Sequence, residues 1–255
     1  MSVLDRFSLS GRRALVTGAS RGLGAAMAMA LAEAGADVVC ASSRPGGAEE
    51  TASAICGTGR KAWTVHANLA NAAERNAMAD AAEQAAGSID ILVNNGGSIA
   101  RYPAESYPEA EWHRVLQTNL DAAFFLSQRF GQGMLKRRAG KIINVASLLS
   151  FSGGITVAAY TASKHAVAGV TKALANEWAK HNVQVNAIAP GYFATDNTRR
   201  LRDDPQRFAD ISARIPAGRW GSPSDLAGAV VFLASQASDY MNGHLLVVDG
   251  GWMAR

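Results

Sequence analysis

The sequence predicts an α/β fold, a single Rossmann-like arrangement in which a doubly wound, seven-stranded parallel sheet carries helices on both faces. Three observations lead there. Short apolar runs alternate with longer segments of helical spacing along the whole chain. The runs are nearly continuous in apolar residues, as strands covered on both faces require. The segments between them are long enough for right-handed helical crossovers, which parallel neighbours need.

The elements follow in order. Arg13-Ala14-Leu15-Val16-Thr17 is the first strand. Residues 24–34 are alanine-rich with helical spacing, and Gly35 ends them. Residues 37–41 form the second strand, 49–55 a helix and 61–66 the third strand. Residues 72–86 form a helix stopped by Gly87, and 89–93 the fourth strand. One long helix is expected over 109–137, then a strand over 141–145. A helix over 158–180 leads to a strand over 183–188. Ser222-Pro223-Ser224-Asp225 is a helix start, placing a helix over 224–235 before the last strand, 245–248. The stretch 190–223 has no regular pattern and carries six arginines, at 199, 200, 202, 207, 214 and 219. It follows the sixth strand, and ligands of such sheets bind at the C-terminal strand ends, so it is placed as a lid. No linker or short-period repeat divides the chain, and one catalytic domain over residues 1–255 is expected.

Composition narrows the function classes. The chain has 255 residues, 48% hydrophobic and 18% charged, which supports a packed core rather than disorder. No apolar run approaches the roughly 18 residues of a membrane span. The start, Met1-Ser2-Val3-Leu4-Asp5-Arg6, lacks the order of a signal peptide, so a cytoplasmic protein with free thiols at Cys40 and Cys56 is expected. The five histidines are scattered, and no metal site is expected. A net charge of +4 without a dense basic block gives no case for nucleic acid.

Thr17-Gly18-Ala19-Ser20-Arg21-Gly22-Leu23-Gly24 lies between the first strand and the first helix. Glycine permits a tight turn and lets a pyrophosphate approach the backbone, while the helix N-terminus offers free N–H groups. This is a candidate dinucleotide site. The second strand ends in Ser42-Ser43-Arg44, with no acid to hold a free ribose 2′-hydroxyl. Arg21 and Arg44 lean the cofactor toward NADP, with NAD left open. Tyr160 and Lys164 are four residues apart on one helix face, where an ammonium would lower the phenol's pKa and make it a proton donor and acceptor. Ser147, just past the fifth strand, is placed to hydrogen-bond a substrate oxygen.

Taken together, these residues resemble the short-chain dehydrogenase/reductase family over nearly the whole chain. The glycine loop, Asn94-Asn95-Gly96, Asn119, Ser147, Tyr160-x-x-x-Lys164, Pro190-Gly191-x-x-x-Thr195 and Val248-Asp249-Gly250-Gly251 occur in the family's order. The resemblance implies an NAD(P)-dependent oxidoreductase that interconverts a secondary alcohol and a ketone. It implies Tyr160 as general acid/base, Lys164 as holder of the nicotinamide ribose, Ser147 as orienter of the substrate oxygen and Asn119 as support of a water-linked proton relay. Cofactor contacts would come from Gly18, Ser20, Arg21, Gly22, Leu23 and Gly24, from Ser42, Arg44, Asn68 and Leu69, and from Asn95 and Gly96. Pro190, Gly191 and Thr195 would lie near the nicotinamide. Two positions depart from the pattern. Gly96 replaces the usual alanine, a change expected to cost little, and Asn68 replaces an adenine-contacting aspartate, an exchange that keeps an acceptor.

Within the family, residues 141–151, 175–182, 186–192, 214–221 and 249–255 are similar to dehydrogenases of 2-deoxy-D-gluconate and 2-keto-3-deoxy-gluconate. Parts are shared with gluconate 5-dehydrogenases and 3-oxoacyl-carrier-protein reductases, so reduction of a 3-oxoacyl thioester or another ketone stays open. Arg101 or a lid arginine is the candidate reader of a sugar-acid carboxylate, the other lid arginines pairing with Asp203, Asp204 and Asp210. A non-catalytic dinucleotide sensor on the same fold would be expected to lack Tyr160 or Lys164. The resemblance also implies a homotetramer, with a small molecule as the other partner.

Overall fold

The sheet grows outward from its first strand. In the computed structural model, which describes residues 2–255, the strands are β1 (Arg13–Thr17), β2 (Asp37–Ser42), β3 (Ala62–His66), β4 (Ile91–Asn94), β5 (Gly140–Val145), β6 (Val183–Pro190) and β7 (Leu245–Val248). They pair in the order β3-β2-β1-β4-β5-β6-β7, all parallel. The chain runs from β1 out to β3, then crosses back to lay β4 on the other side of β1. The C-terminal ends of β1 and β4 therefore diverge, and the connections leaving them bound a crevice.

Alternation along β1 assigns the two faces. Ala14 and Val16 point to a core shared with Met27 and Leu31 of α1 (Gly22–Glu33), Ile55 of α2 (Glu49–Gly57) and Val230 and Leu233 of α9 (Ala227–Ala234). Leu15 points the other way, to Met78 and Ala82 of α3 (Ala72–Ala86), Phe130 and Met134 of α5 (Ala122–Arg137) and Leu174 of α6 (Ala158–Trp178). The small residues of α1 let it lie close against the sheet beside the crevice.

Three elements differ from the sequence reading. The helix expected over 109–137 is α4 (Glu109–Leu116) and α5 joined by a π-helical turn, Gln117–Asp121. The extra residue per turn directs Asn119 inward, a local widening common at functional sites. The helix expected over 224–235 opens with the 3₁₀ turn Pro223–Leu226, because Ser222 and Asp225 form a reciprocal cap that tightens the first turn. The lid is not wholly irregular: it holds α7 (Arg199–Arg202) and α8 (Pro205–Arg214). Asp204 caps α8 by accepting from the N–H groups of Gln206 and Arg207, with Pro205 at its first position. Among the described residues no helix is long and apolar enough to cross a membrane, and no three His, Cys, Asp or Glu side chains cluster as metal ligands. Cys40 is a buried free thiol and Cys56 an exposed one.

Candidate active site

The crevice between β1 and β4 is a cleft of about 400 Å³, within the roughly 300–1,000 Å³ of small-molecule sites. Gly18, Ser20, Arg21, Gly22, Leu23 and Gly24 form one wall, and Ser42, Asn68 and Leu69 line it at the ends of β2 and β3. Asn95, Gly96 and Thr195 line the other side. Twelve of the expected cofactor residues are thus brought together. Arg44, Tyr160, Lys164, Pro190 and Gly191 do not line this cleft.

The glycine loop is built for close approach. Gly18 and Gly22 have φ of +67° and +57°. A Cβ on Gly24 would collide with the Gly18 carbonyl, so the helix can start only this close to the turn with glycine there. No side chain caps α1, which leaves its first-turn N–H groups without a side-chain partner at the cleft. Thr17 ties the loop to the opposite wall. Its Oγ1 accepts from the N–H groups of Asn95 at 3.0 Å and Gly96 at 2.8 Å and donates to the Val93 carbonyl. Asn95 completes the knot by donating to the Thr17 and Gly18 carbonyls. Free N–H groups on a helix start, a glycine cradle and a long cleft fit a dinucleotide's pyrophosphate. When bound, a nicotinamide dinucleotide supplies the hydride acceptor or donor.

Several expectations change in detail. Gly96 is not simply a missing methyl: a Cβ there would stand 2.5 Å from Leu69 Cδ1 and 3.2 Å from Thr17 Oγ1, because Leu69 fills that space. Gly191 is demanded by the sheet, since a Cβ would lie 2.7 Å from Asp249, and its N–H donates to Val248. Pro190 is buried in β6, paired with Val248. Arg44 is exposed in the bend after β2, and its carbonyl accepts from the Ser42 hydroxyl. Arg21 pairs with Asp196 of the lid at 3.2 Å. The lid arginines do not pair with Asp203, Asp204 or Asp210. Arg199 pairs with Asp196, Arg219 with Asp225, and Arg214 lies 4.2 Å over the Trp252 ring. Asp204 is occupied as a helix cap and Asp210 accepts from Gln206, which explains the difference.

Ser147, Tyr160 and Lys164 converge at the C-terminal end of β5. Tyr160 and Lys164 lie one turn apart on α6, with Lys164 Nζ 5.5 Å from the Tyr160 ring centre. Lys164 is buried and donates to the Val145 carbonyl at 2.6 Å. Its pKa falls to about 8 because burial disfavours the charged form. The Tyr160 pKa moves up, not down as the spacing suggested. Burial dominates, opposed first by the Ser147 hydroxyl and then by the Arg101 cation. Lys164 is turned to a main-chain carbonyl and is itself desolvated, so it does not reverse the effect.

Asn119 connects the tyrosine to the cleft. Its Oδ1 accepts from the Ser98 N–H at 2.7 Å, and its Nδ2 donates to the Ser98 carbonyl and the Ser163 hydroxyl. Ser163 in turn donates to the Tyr160 carbonyl. The sequence reading missed Ser43, Ser98, Thr118 and Asn197, which line the cleft, and Ser163, which braces the tyrosine. For Ser163 the position inside the Tyr-x-x-x-Lys segment was an available signal. Ser43 and Ser98 lie in loops, Thr118 in the π-helical turn and Asn197 in a single 3₁₀ turn, none with a distinguishing spacing.

Residues 12–206 match the family model described as short chain dehydrogenase. The chain is 54% identical over 252 residues to the 2-dehydro-3-deoxy-D-gluconate 5-dehydrogenase of Bacillus subtilis (strain 168), covering 98% of each. It is 51% identical to the protein of the same name from Escherichia coli (strain K12), covering 99% of this chain and 100% of that one. The solved structure of a gluconate 5-dehydrogenase from Burkholderia cenocepacia J2315 in complex with NADP and tartrate superposes with a TM-score of 0.95 at 42% identity, over 100% of both chains. The chain belongs to the short-chain dehydrogenase family. It is an NAD(P)-dependent oxidoreductase acting on CH–OH groups.

Proposed function

We propose that this enzyme interconverts a secondary alcohol and a ketone on a sugar acid of the 2-keto-3-deoxy-gluconate kind, as one catalytic domain. The observation that carries the reading is the placement of Tyr160 and Lys164 one turn apart on α6, with the Lys164 ammonium 5.5 Å from the phenol ring and held to the Val145 carbonyl just before Ser147. The names of the relatives, dehydrogenases of 2-dehydro-3-deoxy-D-gluconate and gluconate, support the substrate class.

In the reductive direction Tyr160 gives its proton to the ketone oxygen, and in the oxidative direction it takes the proton of the alcohol. Its raised pKa keeps the phenol protonated at neutral pH, which suits reduction, while Ser147 offsets part of that shift and donates to the same substrate oxygen as charge develops. Lys164 would hold the nicotinamide ribose, its own proton loosened by burial. Asn119 contributes by position, since its amide groups brace Ser98 and Ser163, and supports proton exchange from there. Arg101 reads the substrate carboxylate. Gly18 to Gly24 would hold the pyrophosphate and Ser42 to Arg44 the ribose, where the absence of an acid favours NADP over NAD.

The enzyme works in the cytoplasm as a homotetramer. Phe125, 46% exposed on the outer face of α5, and Met253, 41% exposed near the C-terminus, support buried contacts with further copies. A panel of 2-keto-3-deoxy sugar acids, gluconate, 3-oxoacyl thioesters and simple ketones, followed at the nicotinamide band with NADP and NAD, tests the reading. Turnover confined to sugar acids, lost in Tyr160→Phe with cofactor binding retained, is expected. Preference for thioesters, or turnover surviving in Tyr160→Phe, would overturn it.

A further inference from the structure

The cleft divides along its length by what each strand end offers. The first turn of α1 addresses the pyrophosphate, and the end of β2 addresses the neighbouring ribose. The purine must then lie against the end of β3, where Asn68 lines the cleft with the apolar Leu69 and Met78 beside it. Asn68 is a polar side chain at that end able to read the edge of a base.

The orientation of its carboxamide is fixed by chemistry. The Ala70 N–H points at Asn68 Oδ1, 3.1 Å away. Nitrogen in that place would set a donor against a donor, so oxygen must face Ala70. The rest of the loop is pinned too. The Asn68 N–H donates to Glu74 Oε2 at 2.8 Å, the Asn68 carbonyl accepts from the Asn71 N–H, and Arg75 donates to the Leu69 carbonyl at 2.7 Å. What Asn68 leaves unengaged is therefore its amide nitrogen. It has two N–H donors and no hydrogen-bond partner among the described residues, on an exposed side chain at the cleft wall.

We propose that Asn68 sets the base preference of the bound dinucleotide, as a donor where a carboxylate would be an acceptor. This rests on the reading of the cleft as the cofactor site. A carboxylate accepts from the 6-amino group of adenine and repels the 6-oxo oxygen of hypoxanthine. A free amide N–H donates either to a ring nitrogen of adenine or to the 6-oxo group of hypoxanthine. The enzyme accordingly accepts a 6-oxopurine dinucleotide nearly as well as a 6-aminopurine one. The identity of the base is left unread, while the pyrophosphate and ribose ends carry the affinity.

The test measures dissociation constants of NADPH and of its hypoxanthine analogue by nicotinamide fluorescence on the full-length protein, without turnover. The wild-type constants are expected to agree within about threefold, because either base finds a donor. In Asn68→Asp the hypoxanthine analogue is expected to bind at least about tenfold more weakly than NADPH, since a charged carboxylate oxygen then faces the 6-oxo oxygen. Asp also accepts from the Ala70 N–H, so this variant keeps the loop pinned. A wild-type preference for adenine of tenfold or more, or a ratio unchanged in Asn68→Asp, would overturn the proposal. Failure of the wild type to bind either dinucleotide would instead overturn the cofactor reading of the cleft, and the proposal with it.

Discussion

Replacing Thr17 with valine removes one hydroxyl from the point where the two walls of the cleft meet. The side chain is 1% exposed, and valine has nearly its shape, so the packing is preserved. Three contacts are lost. The Gly96 N–H has Thr17 Oγ1 as its partner at 2.8 Å and becomes unpaired, which costs about 1–3 kcal/mol depending on how far water is excluded. The Asn95 N–H keeps the Val93 carbonyl at 3.1 Å and loses only its second acceptor, a smaller cost of about 0.5–1 kcal/mol. The new methyl group returns about 0.8 kcal/mol of burial. A net loss of about 1 kcal/mol is expected, at the lower part of the range because Gly96 is half-buried and water can reach its amide. Urea unfolding at fixed protein concentration should show a lower midpoint with an unchanged slope. NADP should also bind more weakly, because the Asn95–Gly96 turn loses its anchor to the glycine loop. A stability loss under about 0.5 kcal/mol would show that the hydroxyl knot does not hold the walls, since ordinary surface substitutions reach that much. Unchanged NADP affinity would show that the knot does not shape the cleft.

Other consequences follow from the same geometry. Ser147→Ala removes the strongest influence opposing the burial-driven rise of the Tyr160 pKa, so the rising limb of the pH profile for alcohol oxidation should move to higher pH; an unmoved limb would exclude this coupling. Arg101→Ala should lower kcat/KM at least about tenfold more on a sugar acid than on an uncharged ketone, the loss of a charge-assisted hydrogen bond. Equal losses on both substrates would remove Arg101 from carboxylate recognition. Asp196→Asn frees Arg21 from its exposed lid pair, and NADP should bind about two- to fivefold more tightly with NAD unchanged, the scale of a surface ion pair. Titration of protein fluorescence with both cofactors checks this, and equal shifts would mean that Arg21 does not distinguish them.

Much of the architecture was legible in the chain because parallel strands buried on both faces must be apolar throughout, a pattern little else produces. All seven strands lie where the apolar runs placed them, with ends shifted by a few residues. The glycine loop was legible for a related reason: positive φ at Gly18 and Gly22 and the contact of Gly24 with the Gly18 carbonyl exclude other residues locally. The lid helices were missed because α7 is a single turn and α8 is short, with packing on one side only. Their arginines drew attention by number, but number says nothing of pairing. Asp196 and Asp225 were better placed than the aspartates nearest in sequence.

The chain by itself therefore determined the sheet, the glycine loop and the place of Tyr160, Lys164 and Ser147 at the strand ends. These depend on local backbone conformation and on spacing within single elements, which sequence carries directly. The tertiary structure alone decided the energetics between elements. It set the upward shift of Tyr160, whose burial comes from packing against residues as distant in the chain as Ala100 and Val115. It turned Lys164 toward Val145 and placed Asn119, through a π turn, between Ser98 and Ser163. It gave the space of a methyl at Gly96 to Leu69, and it turned the Asn68 amide oxygen to the Ala70 N–H. Each of these depends on groups far apart in the chain sharing one dielectric and one set of hydrogen-bond partners, and no local pattern records that.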